Sequence, residues 1–176
     1  MLWKTTCVVF AILVSSQLQN VKPESKQKIQ WISIEDAAVK AKSDPKPIII
    51  DLYANWCYWC KVMDKKTYNN SKVVEYINDH FYPVKLDAES KETVQWRDQQ
   101  FDFNKQVNLN DFTLYVTNGD LSFPTTVIYP SPSEAPATVP GFMSPDEIEP
   151  ILKYFGEGNY KKQTFQEFLK TFKRTW

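Results

Sequence analysis

Two cysteines separated by two aromatic residues, Cys57-Tyr58-Trp59-Cys60, are the residues best suited to do chemistry. They follow an apolar, strand-like run and stand at the start of a helical pattern. A cysteine at a helix N-terminus lies near backbone N–H groups and the positive end of the helix dipole, which favours the thiolate. The second cysteine, one turn further on, is close enough to attack a mixed disulfide and release its product. The pattern therefore favours a redox-active pair.

The first twenty residues differ from the rest of the chain. Lys4 is the one charged residue there, residues 7–14 are apolar, and small and polar residues follow. This order is typical of an export signal, and the apolar run is too short for a membrane-spanning helix of about 20 residues. An uncleaved anchor or a buried strand is the alternative. The sequence predicts three parts: an export signal (1–20), a flexible lead-in (21–30) and a folded domain (31–176).

Two other uses of the cysteine pair stay open. A structural disulfide across two intervening residues would close a very small loop and stabilise little. A structural zinc site usually takes four ligands, whereas loss of the export signal with Cys7 would leave Cys57, Cys60 and one histidine, His80. We therefore expect no metal and no cofactor. His80 is expected to lie at a helix end without a catalytic role.

The composition fits one globular domain of 176 residues, 43% of them apolar and 24% charged. A chain of this length buries a core without needing metal or disulfides. Its 21 basic and 21 acidic side chains balance, which argues against a strongly basic nucleic-acid binder. We expect no nucleic-acid partner, and no stable membrane insertion once the export signal is removed.

Apolar spacing and turn residues predict an α/β fold. Strands are predicted at 47–53, 81–87, 125–129 and near 138–139. Helices are predicted at 34–43, 61–68, 71–79 and 145–156, with a last helix inside 160–176. The first strand has no alternation, as expected of a central strand covered on both faces. Because a helical region joins the first two strands, they should be parallel with a right-handed crossover.

Residues 88–121 form a connection too long for a structureless loop in a compact domain. Alternating apolar residues in its first half predict a hairpin: Val94, Trp96, Phe101 and Phe103. In its second half, Asn110 can cap a short helix. We expect this segment to be an insertion that decorates the domain.

The stretch Asp51-Leu52-Tyr53-Ala54-Asn55-Trp56-Cys57-Tyr58-Trp59-Cys60-Lys61 resembles the active-site strand and loop of thioredoxins. The region 51–87 is similar to the C-terminal periplasmic domain of DsbD-type thiol:disulfide interchange reductases and their single-domain relatives. The resemblance covers roughly residues 31–155. It implies a thioredoxin fold, with a central mixed sheet flanked by helices, here carrying a hairpin/helix insertion and an extra C-terminal helix.

The resemblance implies a role for several matching residues. Cys57 would be the exposed nucleophile and Cys60 the resolving thiol. Asp51 matches the family's buried carboxylate, thought to assist proton transfer, and Asp64 matches a second acidic residue near the pair. Lys85 falls where thioredoxins often carry a lysine near that buried aspartate. A solvated strand end for Asp51 and an ordinary surface position for Asp64 are the alternatives.

Phe123-Pro124-Thr125 resembles the cis-proline loop that faces the cysteines in this fold. A cis proline leaves the neighbouring backbone free to pair with an extended substrate segment, whereas a trans proline starting a strand would be the ordinary alternative. Aromatic residues also crowd the cysteines. We expect Trp56, Tyr58 and Trp59 to form, with Phe123 and Pro124, a partly exposed surface that binds substrate proteins.

The sequence as a whole predicts an exported thiol:disulfide oxidoreductase of the periplasm or cell envelope, more a reductant than an oxidant. It would act on protein disulfides and receive electrons from an upstream donor protein. The residues between the cysteines, Tyr58-Trp59, differ from the Gly-Pro of thioredoxin and the Pro-His of strong oxidants. The reduction potential of this protein therefore does not follow from that of either group. A disulfide oxidase or isomerase, and a non-catalytic thioredoxin-fold binding module, are the alternatives.

Overall fold

A computed structural model describes residues 28–176. The predicted export signal and the lead-in up to residue 27 lie outside the described residues. The helices are α1 (Ile34–Ser43), α2 (Tyr58–Lys66), α3 (Ser71–His80), α4 (Asp111–Thr117), α5 (Pro145–Gly156) and α6 (Phe165–Thr171), with a 3-10 turn at Asn159–Lys161. The strands are β1 (Ile48–Tyr53), β2 (Tyr82–Asp87), β3 (Val94–Trp96), β4 (Gln99–Phe101), β5 (Phe103–Asn104), β6 (Leu109–Asn110), β7 (Thr125–Tyr129) and β8 (Ala137–Pro140).

The main sheet has four strands in the order β2-β1-β7-β8. β1 pairs with β2 in parallel and with β7 in antiparallel fashion, so the sheet is mixed. The parallel pair predicted from the strand-helix-strand order is therefore confirmed. β1 is buried from Ile48 to Leu52 because helices cover both of its faces.

Successive residues of β1 serve different sides of the sheet. Ile48 and Ile50 belong to the core beneath α1, whereas Ile49 belongs to the core that α2, α3 and α5 cover. Since side chains alternate along a strand, Asp51 shares the face of Ile49. That face is also the one that α2 covers through Met63. The strand thus directs a carboxyl group toward the helix that begins at the cysteines.

Residues 88–121 contain the predicted hairpin and helix, but the prediction that they merely decorate the domain is wrong. β3 and β4 pair as a hairpin, and Asn110 caps α4 by accepting a 2.9 Å hydrogen bond from the Phe112 N–H. Trp96 and Phe112 are fully buried, and the Trp96 ring lies 4.6 Å from that of Tyr129 on β7. The segment therefore builds the core on one face of the sheet.

The folded part begins earlier than the predicted boundary at residue 31. Ile29 is buried in the core beside α3. The Gln30 N–H donates to Asn78 Oδ1 at 2.9 Å, and Asn78 Nδ2 donates to the Lys28 carbonyl at 3.0 Å. The last three residues of the predicted flexible lead-in are thus fixed to α3 through one asparagine side chain.

The C-terminal helix is shorter than the segment 160–176 assigned to it. α6 opens with a capping box between Thr164 and Glu167, and it ends at Thr171. The chain then continues in extended form, and Thr175 donates to the buried Glu149 carboxylate from its N–H (2.7 Å) and its hydroxyl (2.9 Å). Within residues 28–176, no helix combines the length and apolar character needed to cross a membrane.

Candidate redox site

The two cysteines lie at the start of α2, directly after the loop that follows β1. Cys57 is the N-cap of α2, and a disulfide joins it to Cys60 with a Cα–Cα distance of 5.3 Å. The Cys60 N–H donates to Cys57 Sγ at 3.0 Å. An N–H donor at a helix start stabilises negative charge on the acceptor, so this contact favours a thiolate on Cys57 after reduction.

The expectation that Cys57 is the exposed member of the pair needs correction for the disulfide form. Both cysteines are 4% exposed. Tyr53 and Phe123 pack against them, and Phe123 comes from a loop far along the chain. Its contact with the cysteines depends on the tertiary fold, which the local motif could not reveal.

Asp51 and Asp64 are brought together by one lysine. Asp51 is 2% exposed, which excludes the solvated strand end. Lys85 Nζ lies 2.5 Å from Asp51 Oδ2 and 2.6 Å from Asp64 Oδ1. Asp64 remains partly open to solvent, so the lysine links a buried carboxyl group to a solvent-accessible one.

Burial sets the protonation of this cluster. Burial raises the pKa of Asp51 to about 6, although the Lys85 charge and hydrogen bond act in the opposite direction. Burial lowers the pKa of Lys85, but Asp51 and Asp64 together outweigh it, and the net shift is upward. Lys85 therefore stays charged at neutral pH, while Asp51 can exchange a proton not far below it.

Three aromatic rings surround the Lys85 ammonium group. Its Nζ lies 4.8 Å from the ring centroid of Tyr53, 5.4 Å from that of Trp31 and 5.9 Å from that of Tyr68. Ring faces attract cations, so the rings favour the charged lysine and hold it beside Asp51. Trp31 and Tyr68 were missed in the sequence because no motif links these separate positions to Lys85.

The aromatic residues of the cysteine loop are exposed, as predicted. Trp56, Tyr58 and Trp59 are 66%, 70% and 55% exposed. The Trp56 ring lies 5.8 Å from that of Phe123, and the Trp59 ring lies 5.6 Å from that of Phe142, which sequence reasoning missed. We call these five residues the aromatic surface.

The loop before β7 completes the site. The Phe123–Pro124 peptide bond is cis, and Pro124 is buried, with its carbonyl accepting a 2.7 Å hydrogen bond from the Gly141 N–H. Among the hydrogen bonds of residues 28–176, none involves the backbone N–H or C=O of Phe123.

His80 lies at the end of α3, where its ring stacks on that of Tyr76 with the ring centroids 4.2 Å apart.

Comparison with known proteins places this site in a family. The family model Thioredox_DsbH, described as "Protein of unknown function, DUF255", matches residues 11–176. A solved structure titled "DsbH Oxidoreductase" superposes with a TM-score of 0.56 at 21% identity, covering 80% of this chain and 92% of that chain. That structural similarity shows a shared fold.

Curated relatives match over shorter stretches. The chain is 30% identical to spermatogenesis-associated protein 20 of Rattus norvegicus over 60 residues, 34% of this chain and 8% of that protein. It is 29% identical to the disulfide bond reductase DsbH of Chlamydia pneumoniae over 75 residues, 42% of this chain and 45% of that protein. It is 47% identical to the thiol:disulfide interchange protein DsbD of Yersinia pestis over 36 residues, 20% of this chain and 6% of that protein.

The chain thus spans less than half the length of these curated relatives. The family model, in contrast, covers all of the described residues, including both cysteines and Phe123. The mixed sheet and the flanking helices agree with the fold predicted from the cysteine motif. The chain therefore belongs to the Thioredox_DsbH family and has a thioredoxin fold.

Proposed function

We propose that this protein is an exported thiol:disulfide oxidoreductase that reduces disulfides of envelope proteins through Cys57 and Cys60. The observation that carries the proposal is the cysteine pair at the start of α2, with the Cys60 N–H directed at Cys57 Sγ. This geometry gives the two sulfurs different chemistry. The similarity to the disulfide bond reductase DsbH and to the thiol:disulfide interchange protein DsbD supports the same reaction class.

The reaction would proceed from the reduced dithiol in two exchange steps. The Cys57 thiolate attacks one sulfur of a substrate disulfide, forms a mixed disulfide and releases the other substrate sulfur as a thiolate. Cys60 then loses its proton and attacks Cys57 Sγ, which forms the Cys57–Cys60 disulfide and releases the second substrate thiolate. Two electrons pass to the substrate, and an upstream dithiol protein must return them.

Asp51 is proposed to accept the proton that Cys60 loses. Its carboxyl group lies on the face of β1 covered by α2, and its pKa of about 6 lets it accept and release a proton near neutral pH. Lys85 connects Asp51 to the partly exposed Asp64, whose proposed role is to hold the Lys85 ammonium group beside Asp51.

The substrate is proposed to be an extended protein segment carrying a disulfide. The aromatic surface offers apolar contact area around the cysteines, and such exposed apolar patches are typical of protein-binding sites. The backbone of Phe123, which makes no hydrogen bond within residues 28–176, could hydrogen-bond an extended strand. Phe123 and Pro124 would then orient the substrate disulfide over Cys57.

Export to the periplasm or cell envelope is proposed from the signal-like residues 1–20. Expression of residues 1–176 in a bacterium, followed by mass measurement of the purified protein, tests this part. The expected result is a product lacking about 20 N-terminal residues. A product of full length in the cytosolic fraction would contradict it.

Reduction of insulin by dithiothreitol, followed as turbidity, tests the activity. The native protein should accelerate the reaction, whereas Cys57→Ser should match the uncatalysed rate. Equal rates for both proteins would favour a non-catalytic binding module. Equilibration of the native pair with glutathione then gives the reduction potential, and a potential as oxidising as that of strong disulfide oxidants would contradict the reductant assignment.

A further inference from the structure

The C-terminal segment is strongly basic in a chain with no net charge. Residues 158–176 contain five basic side chains and one acidic side chain, Glu167, and thus carry a charge of +4, while the whole chain has a formal charge of zero. We call the five basic residues the C-terminal basic surface: Lys161, Lys162, Lys170, Lys173 and Arg174.

The C-terminal basic surface makes few interactions inside the described domain: Lys161 Nζ lies 5.4 Å from the ring centroid of Tyr160, and the Arg174 charge contributes to lowering the pKa of Glu147. All five residues are exposed. The ion pairs found among residues 28–176 involve Lys46, Lys85 and Lys153 instead. The Glu167 carboxylate is occupied by the N–H and hydroxyl of Thr164, at 2.9 and 2.7 Å, in the capping box of α6. The five cations therefore face solvent with their charge available to a partner.

Apolar side chains lie among these cations. Leu169 is 44% exposed, and Phe165 and Phe172 are partly exposed. Phe168 is buried, and its ring lies 5.5 Å from that of Tyr154 on α5. The packing of Phe168 fixes α6 to the domain and leaves Leu169 and the lysines on the outside. α6 is thus a fixed helix on which Lys170 lies next to exposed hydrocarbon. The other four basic residues flank α6 in the chain: Lys161, Lys162, Lys173 and Arg174.

We propose that the C-terminal basic surface binds the face of an anionic lipid bilayer. Anionic headgroups attract exposed lysines near a membrane surface, and neighbouring leucine and phenylalanine side chains add contact with the acyl boundary. The five side chains make no hydrogen bond or ion pair among residues 28–176 that would hold them in one geometry. Flexible cations suit a diffuse charged surface better than one defined acidic protein site. Binding through this surface would hold the protein at a membrane, and this proposal does not depend on the proposed redox function.

Co-sedimentation of residues 21–176, the proposed exported form, with vesicles tests the proposal. We expect binding to vesicles of phosphatidylcholine with 30% phosphatidylglycerol, about tenfold weaker binding to pure phosphatidylcholine, and a similar loss when salt rises from about 0.05 to 0.5 M. Changing all five residues of the C-terminal basic surface to glutamine should abolish the preference for anionic vesicles. Leu169→Ser should weaken binding about threefold at unchanged charge.

A matched control removes the same charge elsewhere. The control variant replaces five other exposed lysines by glutamine: Lys40, Lys42, Lys66, Lys72 and Lys105. It should keep most of the anionic binding, and thermal unfolding checks that both variants are folded. Equal loss in the two variants would mean that net charge alone binds the vesicles, which would overturn the proposal. Equal binding of the native protein to neutral and anionic vesicles would overturn it as well. So would binding to an acidic polypeptide such as polyglutamate without binding to anionic vesicles.

Discussion

Asp51 and Lys85 are register partners on adjacent parallel strands, and their side chains meet at 2.5 Å between Oδ2 and Nζ. The pairing of β1 with β2 therefore positions a buried acid and its counter-ion at once. Asp51 also faces Thr126 of β7 in the register on its other side. A one-residue shift of β1 would turn Asp51 toward the opposite core, so the register itself maintains the charge cluster.

Asp51 should make stability depend on pH in an unusual direction. Its pKa rises from 3.8 to about 6 on folding, so between about pH 4 and 6 the folded protein binds more protons than the unfolded chain. The Asp51 contribution to the free energy of unfolding should then fall as the pH rises through this window, by up to about 3 kcal/mol. Urea unfolding of the native protein and Asp51→Asn at several pH values measures the difference. Parallel curves for the two proteins would contradict this prediction.

Lys85→Met should destabilise the fold more at pH 8 than at pH 4. At pH 8 the variant must either keep a buried Asp51 carboxylate without its counter-ion or protonate it, and either should cost about 2–4 kcal/mol, whereas at pH 4 Asp51 is largely protonated in both proteins. The double variant Lys85→Met/Asp51→Asn should recover most of the loss. An equal loss at both pH values would indicate that the lysine acts through packing against its three aromatic neighbours.

The two cysteines should differ in reactivity after reduction. Cys57 should be alkylated first because its sulfur accepts the Cys60 N–H at the start of α2. Cys60→Ala should accumulate mixed disulfides with partner proteins, since no second thiol can release them, while Cys57→Ala should accumulate few. Non-reducing gels and mass spectrometry of the two variants measure this. Equal trapping by both would mean that the nucleophile is wrongly assigned.

Trp59→Ala should separate substrate binding from stability. The exposed Trp59 side chain makes few core contacts, so unfolding should shift by less than about 0.5 kcal/mol. Its loss should slow the reduction of a protein disulfide several-fold more than that of a small disulfide, because only a protein covers the aromatic surface. Tyr115→Ala, at an exposed position on α4, serves as the control. Equal slowing with both substrates would contradict a docking role.

Trp96→Ala tests whether residues 88–121 form part of the core. The buried ring packs on Tyr129 and Phe112, so its removal should cost about 3–5 kcal/mol. Trp56→Ala removes an equally large but exposed side chain and should change stability little. Chemical unfolding of both variants gives the comparison, and similar small losses would restore the view of this segment as decoration.

Local patterns account for the parts of the structure that the sequence predicted well. β1 opens with the apolar run Ile48-Ile49-Ile50, and Thr164 with Glu167 forms a capping box at the start of α6. Such signals depend on neighbours only a few positions apart. The cysteine motif carries its own context in the same way, because the strand before it and the helix after it are adjacent in the chain.

Contacts between distant segments account for what the sequence did not reveal. The sequence pattern places Trp96 in a hairpin next to polar residues and does not indicate its burial, which depends on packing against Tyr129 of β7. The shielding of Cys57 depends on Phe123, and the charged state of Lys85 depends on Asp51 and on the ring of Trp31. None of these pairs is close in sequence, so periodicity and motif spacing cannot predict these contacts.

The central place of β1 also bears on the order in which the site assembles during folding. β1 pairs with β2 across one nearby crossover, but it pairs with β7 only across the whole of residues 88–121. Closing the larger loop costs more chain entropy, so the longer-range pairing is expected to follow. The cysteines would then be in place before Phe123 covers them. Under the proposed export, the thiols of a newly exported chain would be accessible to exchange with partner proteins until Phe123 packs over them.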